Sequence, residues 1–289
     1  MKLGRLGVFC FLDGLNRAQL VELAQRCEQL GYAALWYPEA RGHESFSLGS
    51  FLLSQTEKLI LATGIANIYA RDATTAKQGQ HTLAKLSGGR FLLGLGVSHV
   101  PMVENVRGHT YGKPVATMRA YLEAMEKSAA FAPPLDETPP TVLAALGPNM
   151  TQLAGERTAG AHPYNITPEH TAKAREIVGP ERWVCSEQKI LRVTDGAKAR
   201  ELARTTMTPY MGLPNYRNNW LRLGFTEAEL ENGGSDRFLD AMVAWGDDGA
   251  IRARIQAHFD AGASHVCIQP LHPDGERLPD LDALAAFAP

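Results

Sequence analysis

The 289-residue chain has only four cysteines, and none of them forms a CxxC pair. Cys10, Cys27, Cys185 and Cys267 stand alone, which argues against a disulfide framework and favours a reducing, cytoplasmic location. No apolar run approaches the ~20 residues that a membrane helix needs. The net charge of −2 gives no electrostatic reason to expect nucleic acid or an anionic membrane as a partner.

Common catalytic signatures are also missing. None of the nine histidines belongs to an H-x-H or H-E-x-x-H arrangement, so we expect no metal site. The chain has no G-x-S-x-G elbow for a nucleophilic serine, and no Gly-Lys-Ser/Thr sequence for a Walker loop. Metallohydrolases, serine hydrolases of this type and P-loop enzymes are therefore disfavoured.

Short apolar segments alternate with segments of helical periodicity. The strand-like segments are 3–12, 33–37, 59–66, 91–95, 141–146, 160–162, part of 183–193, and 265–269. The helix-like segments are 17–30, 47–55, 73–86, 115–131, a short one from 149, 168–178, 196–207, 251–259 and a last one ending near 287, with a proline-rich connector at 133–140. Eight apolar strands separated by helices predict an α/β fold, namely a (β/α)8 TIM barrel rather than an open doubly wound sheet. We expect one domain over residues 1–289, with an irregular or helical insertion at about 212–246 before the last strand.

The glycines of the segment RFLLGLGVSHVP (90–101) suggest a dinucleotide-binding loop. Its GLGVSH sequence has His99 where the third glycine of G-x-G-x-x-G belongs, and it follows the fourth strand rather than the first. The fingerprint therefore fails. Gly94 and Gly96 then either relieve packing at a strand end or line a binding site.

In a (β/α)8 barrel the active site lies at the C-terminal ends of the strands. The predicted ends carry polar groups, glycines and histidines in these runs: 37–43, 64–71, 94–109, 147–150, 162–164 and 269–270. Such a rim is typical of a cofactor-binding face.

Five stretches together resemble the bacterial luciferase-like monooxygenase family, and specifically its branch that uses the deazaflavin coenzyme F420. They are LGYAALWYPEARG (30–42), LATGIANIYARD (61–72), HTLAKLSGGRFLLGLGVSH (81–99), AALGPNMTQLAGERTAGAHPY (144–164) and AGASHVCIQP (261–270). The segment LSGGRFLLGLG is the strongest single piece.

The resemblance implies a cofactor site on the rim. Gly64-Ile65 matches a backbone bulge, often with a non-prolyl cis peptide, that backs the central ring. Asn67 would contact the ring edge, and the backbone at Gly147-Pro148-Asn149-Met150 would hold the phosphate at a helix start. The other implied cofactor contacts are Gly94, Gly96, Val97, Ser98, His99 and His162.

The resemblance further implies a hydride transfer between deazaflavin C5 and a small organic substrate. We expect His99 and Glu39 to be the catalytic acid or base. Val97 stands where sugar-phosphate dehydrogenases of the family have an acid, so that substrate class is doubtful. The expected substrate pocket contains Tyr37, His43, Tyr69 and His109.

Three alternatives remain open at this stage. They are an FMN-dependent monooxygenase of the same family, a flavin-binding barrel without catalysis, and a phosphate-binding isomerase on the same barrel. A homodimer is the assembly that the resemblance suggests.

Overall fold

The computed structural model of the chain describes residues 1–128, 135–276 and 278–289, and in these ranges parallel strands alternate with helices. The strands are Leu6–Phe9 (β1), Ala34–Tyr37 (β2), Ile60–Thr63 (β3), Ala66–Asn67 (β4), Phe91–Gly96 (β5), Thr141–Leu143 (β6), Gly160–Ala161 (β7), Trp183–Leu191 (β8), Val243–Trp245 (β9) and His265–Pro270 (β10). The helices are Arg17–Gln29 (α1), Ser45–Ser54 (α2), Ala73–Leu86 (α3), Pro114–Lys127 (α4), Pro148–Arg157 (α5), Pro168–Val178 (α6), Gly196–Met211 (α7), Pro214–Arg222 (α8), Asp236–Met242 (α9), Asp248–Asp260 (α10) and Leu281–Ala286 (α11).

The sheet closes on itself. It runs from β10 through β1, β2, β3, β5, β6 and β7 to β8, and β10 pairs with both β1 and β8. β4 continues β3 after a break and pairs with β5, while β9 lies beside the end of β8. All of these pairs are parallel, so eight barrel positions are filled and the predicted (β/α)8 barrel is confirmed.

The strands alternate between the barrel interior and the surrounding helix layer, as their period of two requires. Phe9, Trp36, Cys185 and Cys267 belong to one buried cluster inside the barrel. Their chain neighbours, such as Val8, pack outward in a second cluster with the helices. Both faces of the strands are therefore apolar, which explains their continuous hydrophobic runs.

The helix and strand boundaries differ from the predicted ones by a few residues. α2 begins at Ser45, two residues earlier than predicted, because the Glu44 side chain caps the N–H groups of Phe46 and Ser47. The predicted strand 59–66 is split at Gly64 into β3 and β4. Positions 129–131 of the predicted helix 115–131, and 133–134 of the predicted connector, lie outside the described residues.

The insertion before the last strand is ordered and helical. It contains α8, a 3-10 turn at Ala228–Leu230, α9 and the unpredicted strand β9. Its aromatic residues form a separate buried cluster, in which the rings of Trp220 and Phe238 lie 4.8 Å apart. A π-helix at Pro101–Val106 was also not predicted. In the described part of the chain, no helix has both the length and the apolar character needed to span a membrane.

Candidate active site

The chain leaves β3 through a bulge at the C-terminal rim. The peptide bond between Gly64 and Ile65 is cis, which confirms the expectation drawn from the resemblance. Two hydrogen bonds fix the bulge to the second strand and its loop. The Gly64 N–H donates to the Tyr37 carbonyl at 2.8 Å, and the Glu39 N–H donates to the Ile65 carbonyl at 3.1 Å. The bulge is thus held firmly, and it places β4 beside β5.

The two glycines of β5 make room for this bulge. A Cβ atom on Gly94 would lie 2.0 Å from the carbonyl oxygen of Thr63, and one on Gly96 would lie 2.4 Å from Cγ1 and Cδ1 of Ile65. These distances are far inside van der Waals contact, so a larger residue would force a shift. The neighbouring strand thus explains the glycine spacing, and a direct contact of either glycine with a cofactor stays a prediction.

Glu39 was predicted to be a catalytic carboxylate, but the structure places it as an internal anchor. Both of its oxygens pair with the Arg71 guanidinium, and its side chain is 3% exposed. The same carboxylate accepts the backbone N–H groups of Asn67 at 2.8 Å and Ser45 at 3.3 Å. Because these contacts engage both oxygens, Glu39 has no free position for exchanging a proton with a substrate, and the predicted catalytic role is corrected.

Asn67 lies at the end of β4 with its side chain only 1% exposed. Its Oδ1 accepts the N–H of Tyr69 at 2.9 Å, which fixes the orientation of the amide group. Its Nδ2 is buried and has no hydrogen-bond partner among the described residues. A buried donor without an acceptor is costly, so this atom is available for an acceptor on a ligand.

Tyr37 does not face the predicted substrate pocket, so its predicted place in that pocket is wrong. Its side chain is fully buried on the outer face of β2, and its hydroxyl donates to the Ser45 carbonyl at 2.8 Å. A Cβ atom on Gly49 of α2 would lie 2.4 Å from that hydroxyl. Tyr37 therefore joins the barrel to its helix layer.

The loop after β5 carries Val97, Ser98 and His99. Ser98 has a positive φ of 57°, and its carbonyl accepts the Tyr111 hydroxyl at 3.2 Å. The His99 ring lies 5.6 Å from the ring of Tyr216 in the insertion. Burial lowers the pKa of His99 below its usual value, and a hydrogen bond with the Asn215 side chain opposes this shift. Val97 packs partly buried against the core.

The remaining predicted pocket residues lie on neighbouring loops. The ring of Tyr69 lies 6.2 Å from His109 and 6.0 Å from Tyr111, so these three form an aromatic group beside β4. The backbone N–H of His43 donates to the Asp13 carboxylate at 3.1 Å. The buried Nε2 of His43 has no partner among the described residues, so it too could contact a ligand.

α5 begins at the rim with an uncapped N-terminus. Gly147 is its N-cap residue, Pro148 is its first residue, and no side chain caps the helix. The backbone N–H groups of Asn149 and Met150 have no partner within the helix, and they form its positive end. Met150 is otherwise a core residue, so only its backbone could serve a ligand.

His162 lies inside the barrel beneath the bulge. Its ring stacks on Trp36 at 4.4 Å, and its Nδ1 contacts the Cys185 carbonyl at 2.8 Å and must therefore donate. Nε2 is then an acceptor, and it has no partner in the described part of the chain. It lies 3.0 Å from the position of a Cβ on Gly64. Burial lowers the pKa of His162 to about 4, so the ring is neutral at pH 7.

A row of hydroxyl groups that the sequence does not predict lies at the mouth of the barrel. The Tyr164 hydroxyl donates to Oε1 of Gln269 at 3.0 Å and therefore accepts from the Tyr210 hydroxyl, also at 3.0 Å. Burial raises the pKa of Tyr210 to about 12, so its hydroxyl keeps its proton at neutral pH. Tyr210 belongs to α7, away from the strand ends where the sequence predicts site residues.

A buried ion pair lies next to these hydroxyl groups. Nζ of Lys189 contacts both oxygens of Glu187, at 3.1 and 3.2 Å, and lies 3.9 Å from the centre of the Tyr164 ring. Both side chains are almost completely buried, and burial raises the pKa of Glu187 and lowers that of Lys189. Two opposite charges two residues apart in one strand share one face, which is the signal that could have identified this pair.

The insertion covers this side of the mouth. Nε1 of Trp220 donates to the Asn165 carbonyl at 3.0 Å, just after β7. Tyr216 packs against Tyr210 at 5.1 Å and reaches His99 on the opposite loop. α8 therefore connects the loops that follow β5 and β7.

A family model described as luciferase-like monooxygenase matches residues 5–180, which is more than half of the chain. The matched range includes four of the five stretches on which the resemblance rests, all but 261–270.

Two curated relatives carry names that refer to related chemistry. The chain is 34% identical over 162 residues to "Putative coenzyme F420-dependent oxidoreductase Rv3520c" of Mycobacterium tuberculosis (strain ATCC 25618 / H37Rv), and the match covers 55% of this chain and 44% of that protein. The chain therefore matches less than half the length of that relative. It is 23% identical over 303 residues to a 5,10-methylenetetrahydromethanopterin reductase of Methanolobus tindarius, covering 90% of this chain and 92% of the reductase.

A solved structure resembles the whole chain. It is an F420-dependent secondary alcohol dehydrogenase in complex with an F420-acetone adduct, with a TM-score of 0.77, 16% identity, and coverage of 99% of this chain and 98% of the dehydrogenase. At this identity the likeness establishes the barrel fold alone.

Proposed function

The chain belongs to the luciferase-like monooxygenase family, as its sequence predicted, and from this premise we propose that it is an F420-dependent oxidoreductase. When bound, the deazaflavin would exchange a hydride at C5 with a carbon atom of a small organic substrate. The buried amide of Asn67 beside the Gly64–Ile65 bulge is the observation that supports this most, because its Nδ2 lacks an acceptor among the described residues. The name of the Mycobacterium tuberculosis relative supports the choice of cofactor.

The bulge would support the ring. Ile65 fills the space left by Gly96, so the bulge cannot sink into the barrel when a flat group presses on it. The Asn67 amide is held by the Tyr69 N–H and would donate its free Nδ2–H to a carbonyl at the ring edge. Val97 and Ser98 would lie along the chain that leads from the ring to the phosphate.

The phosphate would bind at the start of α5. The free N–H groups of Asn149 and Met150 and the positive end of the helix dipole suit an anion there. Gly147 carries no side chain that would fill this space. The proposed ring and phosphate positions then lie at the ends of β4 and β6, with β5 between them.

His99 is the remaining candidate base among the predicted catalytic residues. Because burial lowers its pKa, its imidazole is neutral at pH 7 and can accept a proton from a substrate hydroxyl during oxidation. His43, Tyr69 and His109 would line the substrate side.

An FMN-dependent monooxygenase is the second candidate, because an uncapped helix N-terminus suits the phosphate of either cofactor. Purified protein should be titrated anaerobically with F420 and with FMN, following the fluorescence of each cofactor. We expect one F420 to bind per chain, and FMN to bind at least about tenfold more weakly, a difference of about 1.4 kcal/mol.

Tighter binding of FMN than of F420 would favour the monooxygenase. Binding of neither cofactor would contradict both candidates.

A further measurement separates an enzyme from a non-catalytic flavin-binding barrel. The visible absorbance of bound F420 is followed while small alcohols and other hydride donors are added, and we expect at least one of them to bleach it. If F420 binds but no donor in a broad panel reduces it, the non-catalytic barrel is favoured.

A further inference from the structure

We infer that Arg222 and Asn219, both contributed by α8 of the insertion, complete the phosphate site at the start of α5. This inference rests on the proposed function, because it names further residues of the same cofactor site. It gives the insertion a direct part in cofactor binding, which the strand-end residues alone do not reveal.

Arg222 lies close to the start of α5. One guanidinium nitrogen of Arg222 lies 3.6 Å from the position that a Cβ atom on Gly147 would take. The cation therefore lies beside the N-cap of α5, where the N–H groups of Asn149 and Met150 are free. A guanidinium and two backbone donors at a helix N-terminus suit a phosphate.

The charge around Arg222 is the second argument. An arginine beside the positive end of a helix is unfavourable unless an anion is present. Burial alone accounts for the lowered pKa of Arg222, with no contribution from a carboxylate. Nζ of Lys173 donates to the Arg222 carbonyl at 3.4 Å, which brings a second cation to this part of α8. An anionic ligand would balance these charges.

Asn219 is the independent third argument. Its side chain is 2% exposed, and its Nδ2 is buried without a partner among the described residues. It precedes Arg222 by three residues, so both side chains leave the same face of α8. The next residue, Trp220, donates to the Asn165 carbonyl, which holds this part of α8 against the rim. An unsatisfied buried donor on the face that carries Arg222 toward Gly147 indicates a missing acceptor there.

The test compares two ligands that differ in the phosphate and in the anionic chain attached to it. F420 and its phosphate-free deazaflavin-ribitol core are titrated against wild type, Arg222→Met and Arg222→Lys. We expect Arg222→Met to weaken F420 binding by about 10- to 100-fold, the size of a lost charge-assisted hydrogen bond, and to leave binding of the core unchanged. Arg222→Lys should fall between the two because it keeps the charge but loses the fork of donors.

Arg217→Met is the matched control, since Arg217 lies on the same helix but pairs with Glu227. It should bind both ligands like the wild type. Asn219→Leu should also weaken F420 binding more than binding of the core. If Arg222→Met weakens both ligands equally, or neither, the inference is overturned.

A measurement with inorganic phosphate separates this inference from the proposed function. Phosphate should raise the melting temperature of the wild type and of Arg217→Met, and it should raise that of Arg222→Met less. If F420 and FMN both fail to bind while this difference is seen, the proposed function is wrong and the anion site stands. If phosphate stabilises all three proteins equally, the anion site is refuted.

Discussion

A single carboxylate shows how a rim residue can be structural rather than catalytic. Glu39 follows β2, a position where barrel enzymes place catalytic groups. Its partners come from β4 and the loop that follows it: Arg71, through both oxygens, and the N–H of Asn67. Glu39 thereby ties the loop after β2 to the residues that follow the bulge.

We therefore predict that Glu39→Gln lowers the free energy of unfolding by about 3 kcal/mol, because it leaves Arg71 partly buried with a weakened partner. Urea unfolding followed by tryptophan fluorescence measures this. Glu156→Gln is the control, since Glu156 is exposed and forms surface contacts with Arg119 and Gln152, and it should change stability by less than about 1 kcal/mol. A Glu39→Gln protein with wild-type stability but no turnover would instead restore the catalytic role.

At the scale of elements, β3, β4 and β5 act as one unit. The bulge after β3 brings the Thr63 carbonyl and the Ile65 side chain against β5, and Gly94 and Gly96 are the positions that accept them. The atoms that an added Cβ would meet differ at the two glycines. They are backbone atoms of Thr63 at Gly94, but the end of the flexible Ile65 side chain at Gly96.

Gly94→Ala should therefore cost more stability than Gly96→Ala. We expect a loss of about 1–3 kcal/mol for Gly96→Ala, the usual range for overpacking, and a larger loss for Gly94→Ala because the carbonyl cannot rotate away. Equilibrium unfolding in urea gives both values. In Gly96→Ala, the additional change Ile65→Val should recover part of the loss, whereas it should not help Gly94→Ala. Equal losses at the two positions would contradict this account of the bulge.

The order of elements could be predicted from the sequence, because buried parallel strands leave continuous apolar runs and the amphipathic helices keep their period. The site could be predicted only in part. The cis bulge and the start of α5 followed from the resemblance, whereas the contact of Asn67 with a cofactor ring stays a prediction. The partners of Glu39 and the outward side of Tyr37 depend on tertiary packing. β9 and the hydroxyl chain through Tyr210 depend on how the insertion folds onto the rim, which local periodicity does not encode.

At the scale of the whole molecule, folding buries histidines in neutral form. Burial lowers the pKa of His162 and His265 to about 4 and that of His258 to about 3. An unfolded histidine titrates near 6.5. Between these values the unfolded state binds more protons than the folded state, so stability falls as the pH is lowered through this range.

We accordingly predict that the free energy of unfolding decreases between pH 7 and pH 5, by about 2 kcal/mol for each of these three histidines. Urea unfolding at a series of pH values measures the slope. His265→Gln should reduce that slope by the share of one histidine, and exposed His109→Gln should leave it unchanged. A stability that does not vary between pH 7 and pH 5 would mean that these rings are not buried as described.

We propose that F420 binds on the bulge with its ring edge at Asn67. The most direct measurement is the F420 dissociation constant of wild type and of Asn67→Asp, determined side by side by fluorescence. Asp keeps the acceptor for the Tyr69 N–H but replaces the free donor with an oxygen. We predict that the wild type binds one F420 per chain and that Asn67→Asp, while still folded by circular dichroism, binds it at least about tenfold more weakly. Equal affinity of the two proteins, or no binding by the wild type, would contradict the claim.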